Sequence, residues 1–201
     1  MTTGGAWRAY PAINELINNQ AVSQQSYGYL AATFAALTVA YGIYSLLSKR
    51  VWMQWTVAIG VTLTTITINQ ALNLSMSALA VELLVLAIGK ALAARFYRGT
   101  RMHTFLYVTA AVQAVIAGAI PVEQDWLRPV ILLAAGLMGT FMAVDSDTPE
   151  WLYLATGFYT YGWYWLLKVV VPPPPNPGPS TLVLMFSPLP VIYTGVALML
   201  R

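Results

Sequence analysis

Along the 201-residue chain, long apolar stretches alternate with short breaks of charge, proline or Asn and Gln, seven times over. The first stretch covers 27–47 and stops at Lys49 and Arg50. The second opens at Val51, carries Trp52 and Trp55 in its first turn, and fades at Asn69, Gln70 and Asn73. The third covers 75–96 and is closed by Arg95, Arg98 and Arg101; the fourth, 102–120, stops at Pro121 with Glu123 and Asp125 behind it. The fifth, 126–144, ends at Asp145, Asp147 and Pro149. The sixth, 150–171, ends at Pro172, Pro173, Pro174 and Pro175, and the seventh covers 180–200. Each is about the 20 residues that a helix needs to cross the hydrocarbon layer, and helices stop at such boundaries. The pattern predicts an all-α fold, a polytopic integral membrane bundle of about seven transmembrane helices. The weakest boundary lies between the second and third stretches, where only neutral polar residues mark it.

Composition agrees and excludes alternatives. Hydrophobic residues make up 58% of the chain and charged residues only 8%, against about 25% charged in a soluble domain. Seven spans of about 20 residues use about 140 positions and leave too few for a separate soluble domain. A soluble enzyme and a nucleic-acid binder are excluded on these grounds. There is no cysteine, hence no disulfide, thiolate metal site or thiol nucleophile.

The charges are mostly boundary markers. If the spans alternate, Lys49, Arg50, Arg95, Arg98, Arg101 and Arg201 share one side, and Arg8, Arg128 and Lys168 the other. The positive-inside bias places the first group in the cytoplasm, with the amino terminus outside and the carboxyl terminus inside; the expected location is a plasma membrane of the prokaryotic type. Residues 1–24 read as a polar tail in which Pro11, Ile13, Leu16, Ile17 and Ala21 outline a short interfacial helix. Residues 25–201 form a single transmembrane domain. Within it 172–179 (PPPPNPGP) is a stiff polyproline connector. A faint repeat, aromatic-x-Tyr-aliphatic-small, opens three spans at Tyr27, Phe105 and Trp151. It fits either duplicated hairpins or an interfacial aromatic belt.

Candidate chemistry is sparse. Glu82 lies mid-span, where an ion is costly, on a face shared with Ala78, Gly89 and Ala93. Thr62, Thr65 and Asn69 form a polar line on the preceding span. Together the four outline a proton or cation site; the plainer alternative is interhelical hydrogen bonding, with threonines bonded to their own helix. Lys90 and Lys168 lie near span ends and can snorkel to the interface, and His103 reads as an interfacial residue. Asp145, Asp147 and Glu150 read as a solvated acidic loop. The sixth span carries Trp151, Tyr153, Phe158, Tyr161, Tyr164 and Trp165. These suit contact with a flat apolar ligand such as a quinone or pigment, with another subunit, or simple packing. No cofactor follows from the residues.

Packing signals outnumber site signals. Ala32, Ala36 and Ala40 form a small-residue ridge on the first span, and Ala110, Ala114 and Gly118 one on the fourth; such ridges let helices approach closely. Pro188 and Pro190 should kink or break the last span. No Walker loop, HExxH, GxSxG or dinucleotide fingerprint occurs. A seven-span layout with an external amino terminus resembles that of the microbial rhodopsins, but 180–200 holds no lysine for a Schiff base. The leading expectation is a non-catalytic structural or accessory subunit that packs with other membrane subunits or with itself. The alternative is a small proton- or cation-coupled transporter or channel using Glu82.

Overall fold

The computed structural model describes residues 23–48, 51–170, 183 and 186–199. Among them every regular element is helical: α1 (Gln24–Ser48), α2 (Val51–Ala71), α3 (Met76–Ala94), α4 (Arg101–Ala119), α5 (Leu127–Ser146), α6 (Trp151–Val170) and α7 (Pro188–Met199). A single 3-10 turn, Arg95–Tyr97, follows α3. The interfacial helix expected in 1–24 and the polyproline connector at 172–179 lie outside the described residues. Among the described residues three helices are long and apolar enough to cross a membrane, over Met76–Tyr97, Arg101–Ala119 and Leu127–Ser146. The chain divides into two compact units, Met1–Leu83 and Leu84–Arg201.

Local chemistry accounts for the helix limits. Ser23 Oγ accepts the Ser26 N–H, and Ser75 Oγ the Ala78 N–H, each at 3.2 Å; both are N-cap bonds that satisfy a free helix donor. The boundary between α2 and α3 needs no charge, because it is a closed turn. Asn73 takes a left-handed conformation (φ 53°), the Leu74 N–H donates to the Asn69 carbonyl at 3.0 Å, and the Asn73 N–H to the Gln70 carbonyl at 3.1 Å. That pair of bonds is a Schellman motif. Helix α5 ends similarly: Asp147 is left-handed (φ 51°) and the Thr148 N–H donates to the Ala143 carbonyl at 3.3 Å. Helix α5 therefore runs past 144, to Ser146. The last apolar stretch breaks as its prolines require, with α7 opening on Pro188, where a missing N–H costs nothing.

In the first unit α1 packs along α2. Leu30 is buried with Tyr27 and Phe34 against it, and Gln24 Nε2 donates to the Ala71 carbonyl at 2.8 Å, tying the start of α1 to the end of α2. The hydroxyls of Thr62, Thr64, Thr65 and Thr67 all bond carbonyls four residues back on their own helix.

In the second unit α5 and α6 form a hairpin whose backbones nearly touch. A Cβ on Gly139 would lie 3.2 Å from the Ala155 backbone nitrogen, and one on Gly136 would lie 2.7 Å from the Tyr159 ring. Thr140 Oγ1 and the Tyr159 hydroxyl, 3.1 Å apart, bond across this seam. Tyr193 ties α7 to α6, its hydroxyl donating to the Thr156 carbonyl at 3.0 Å. Ala110 and Ala114 of the α4 ridge are fully buried.

The seam gives a direct test. Replacing Gly139 with leucine should force α5 and α6 apart and cost roughly 1–3 kcal/mol, the usual penalty of overpacking. Gly157→Ala, at a glycine with open space around it, should leave stability unchanged or slightly raised. Unfolding in mild detergent measures both, and equal stability of Gly139→Leu and wild type would contradict the packing described.

Candidate functional site

The polar set read from the sequence separates into individual environments. Thr62 and Thr65 spend hydroxyl donors on the Ala58 and Val61 carbonyls, each at 3.0 Å. Asn69 is completely buried, yet neither atom of its amide has a hydrogen-bond partner. Glu82 is half-buried on α3. Among the described residues no hydrogen bond joins Glu82 to Thr62, Thr65 or Asn69. Lys90 corrects an expectation: it does not snorkel, because its Nζ is buried and has no partner.

The strongest electrostatic cluster is centred on Asp145, which the sequence suggested was solvated. Its side chain is only 3% exposed. It sits in the last turn of α5, and Arg98, from the turn before α4, donates to Oδ1. The Tyr107 hydroxyl of α4 donates to Oδ2 at 2.6 Å, and His103 Nε2 lies 3.4 Å from the same oxygen. Arg95 Nε stands farther off, at 3.9 Å from Oδ1. His103 is thus a partner in this cluster rather than an isolated interfacial ring; its ring tilts over Tyr107 at 4.5 Å between centroids. Tyr107 in turn meets the edge of Trp151 at 6.0 Å. The hydrogen bond to Asp145 raises the Arg98 pKa above its already high ordinary value, so Arg98 stays charged at any physiological pH. Both carboxylate oxygens are occupied, which makes Asp145 an electrostatic clasp between α4 and α5.

Nothing in the sequence near Asp145 announces this role. Its partners stand 38 to 47 residues away, and Asp147 and Glu150 beside it suggest a wet loop. The one available signal was the concentration of Arg95, Arg98 and Arg101 at a helix end that alternation places on the same side.

The six aromatic residues of α6 divide into three groups. Trp151 joins Tyr107. Tyr153, Phe158 and Tyr161 line a shallow groove of about 370 Å³ with Gly157 and, from α4, Val115 and Gly118. Tyr153 is 82% exposed, whereas Tyr107, its counterpart in the faint repeat, is 1% exposed, so the repeated pattern serves opposite environments. Tyr164 and Trp165 sit farther along α6, where Tyr161 stacks on Tyr164 and meets the edge of Trp165. Here the Arg128 guanidinium lies 4.3 Å from the Trp165 ring centroid, and Lys168 Nζ lies 4.7 Å from Trp165 and 4.6 Å from Tyr164. Among the described residues no group of three or more His, Cys, Asp or Glu is placed to hold a metal ion. No protein-family model matches the chain, and no curated protein or solved structure is detectably similar to it.

The Asp145 clasp predicts its own energetic signature. Tyr107→Phe keeps the buried ring but removes a hydrogen bond to a carboxylate, and should lower stability by about 1–3 kcal/mol. Equilibrium unfolding in detergent reads this directly; a Tyr107→Phe protein as stable as wild type would show that the bond holds nothing together.

Proposed function

We propose that the chain is a multi-spanning membrane protein without catalytic activity of its own, an accessory subunit of a larger membrane assembly. The observation that carries this reading is a contrast between two small-residue ridges. On α4 the ridge is covered, with Ala110 and Ala114 buried; on α1 Ala32, Ala36 and Ala40 are all exposed. Small residues at hydrocarbon depth gain only by close contact with another helix, and a partner subunit or second copy supplies one. The Asp145 cluster supports the non-catalytic half, since its carboxylate is engaged by donors on both oxygens.

In this reading the chain crosses the bilayer seven times, the last time through the proline-broken stretch 180–200 of which α7 supplies 12 residues, with the amino terminus outside and the Arg95–Arg101 turn in the cytoplasm of a prokaryotic-type plasma membrane. Helix α2 hides the hydroxyls of its threonines on their own carbonyls, and α6 carries tyrosine and tryptophan, which suit bilayer interfaces. Both are long enough, at 21 and 20 residues.

A second reading, proton- or cation-coupled transport through Glu82, is favoured by one observation: Asn69, in the same unit, is buried with its amide unpaired, as a polar group awaiting a ligand would be.

Gentle solubilisation separates the readings. The wild type should run as a particle heavier than one chain with its detergent, and Ala36→Leu, which blocks the ridge but touches no core residue, should release the monomer. A monodisperse lone monomer for wild type would overturn the subunit reading. Proton or cation flux in vesicles that Glu82→Gln abolishes would replace it with transport.

A further inference from the structure

Arg128 and Lys168 stand apart from the other charges. The positive-inside bias gathers arginine at the opposite end of these helices, so two cations here need a reason. Neither is in an ion pair among the described residues, whose salt bridges centre on Asp145. Both cations are instead drawn onto one ring, with Arg128 at 4.3 Å and Lys168 at 4.7 Å from the Trp165 centroid. The faces of aromatic rings attract cations, but two like charges gathered this way still repel. Trp165 adds a third unmet demand, because its Nε1 is buried and has no hydrogen-bond partner, which is costly for a donor. Two cations and an indole N–H therefore meet at one ring with no acceptor among them.

We propose that this end of the α5–α6 hairpin binds the phosphate of an anionic phospholipid, with Arg128 and Lys168 pairing the oxyanion and Trp165 Nε1 donating to it. Phosphate is the shared chemistry of a lipid headgroup and a free anion, and the lipid is favoured by what adjoins the site. Tyr161 packs on Tyr164 and Trp165 and also lines the apolar groove with Phe158, Gly157 and Tyr153. Tyr161 thus joins the cation end to the groove along α6, which offers an acyl chain a bed beside the headgroup. Charge at one end and apolar surface at the other match one molecule with both. With α6 threaded as above, that molecule belongs to the outer leaflet.

Native mass spectrometry of the detergent-purified chain, titrated with phosphatidylglycerol, phosphatidylcholine or inorganic phosphate alone, tests the proposal. Wild type should bind phosphatidylglycerol in preference to phosphatidylcholine. Arg128→Gln with Lys168→Gln should weaken phosphatidylglycerol by about tenfold, in line with the attraction of basic side chains for anionic lipid, and leave phosphatidylcholine unchanged. Trp165→Phe, which keeps the ring and guards against a misfolded double variant, should weaken it by a smaller factor. Gly157→Leu, which fills the groove where space is open, should weaken both lipids without changing the preference. Equal binding of the two lipids by wild type, or an unaltered preference in both cation and indole variants, would overturn the site. Inorganic phosphate that displaces phosphatidylglycerol at comparable concentration would overturn the lipid as its source.

Discussion

Hydrocarbon offers no hydrogen bonds, so a polar group carried into it must find a partner inside the protein. Most hydroxyls among the described residues obey that constraint, while the Asn69 amide, Lys90 Nζ and the Trp165 N–H do not. The α2 threonines solve it locally, each returning its hydroxyl to the carbonyl one turn back. Tyr159, Tyr193 and Tyr107 solve it across helices, by bonding to Thr140, Thr156 and Asp145. The second solution has the larger consequence, because each cross-helix bond also specifies which helix is the neighbour. Apolar contact alone discriminates poorly when the solvent is as apolar as the side chains.

Close packing and charge divide the work within the second unit. Gly139 lets α5 and α6 approach to backbone contact with Ala155, which maximises dispersion and places Thr140 within reach of Tyr159. The clasp at Asp145 acts at the end of that seam. Burying a carboxylate is expensive, and attraction to Arg98 offsets the cost only while Tyr107 and His103 satisfy the remaining oxygen; a buried pair that loses a member costs more than its presence gains. The clasp is therefore better understood as fixing the pairing of α4 with α5 than as a net source of stability. At the opposite end of the hairpin the balance is reversed, with Arg128, Lys168 and the Trp165 N–H all lacking an acceptor. The two ends of one hairpin thus differ in kind: at one a carboxylate is paired within the chain, and at the other two cations lie on one ring.

Most helix limits were legible because they rest on local chemistry. Pro121, Pro149 and Pro188 stop or start helices through the missing N–H, and the Asn69 to Ser75 turn closes by bonds among near neighbours. Tertiary pairings were not legible in the same way. Asp145 looked solvated because its neighbours Asp147 and Glu150 are acidic and exposed, while the groups that bury it come from residues 98, 103 and 107. Lys90 looked free to snorkel because side-chain length was visible and the neighbouring packing was not. The six aromatics of α6 were legible as lying on both sides of the helix, but not which neighbours each would meet, and three separate environments share them. The α1 and α4 ridges are the same pattern in sequence, and only their surroundings distinguish a buried ridge from an exposed one.

The threading proposed for the helices puts the Asp145 clasp and the Arg128–Lys168 end on opposite sides of the bilayer. The chain contains no cysteine, so single cysteines report without background. Introduced at Leu72 and Glu123, they should react with a membrane-impermeant thiol reagent in intact cells. Introduced at Thr100 and Glu150, they should react only after permeabilisation. Labelling of positions 72 and 100 from the same side would place both ends of α3 on one face of the membrane and contradict the account.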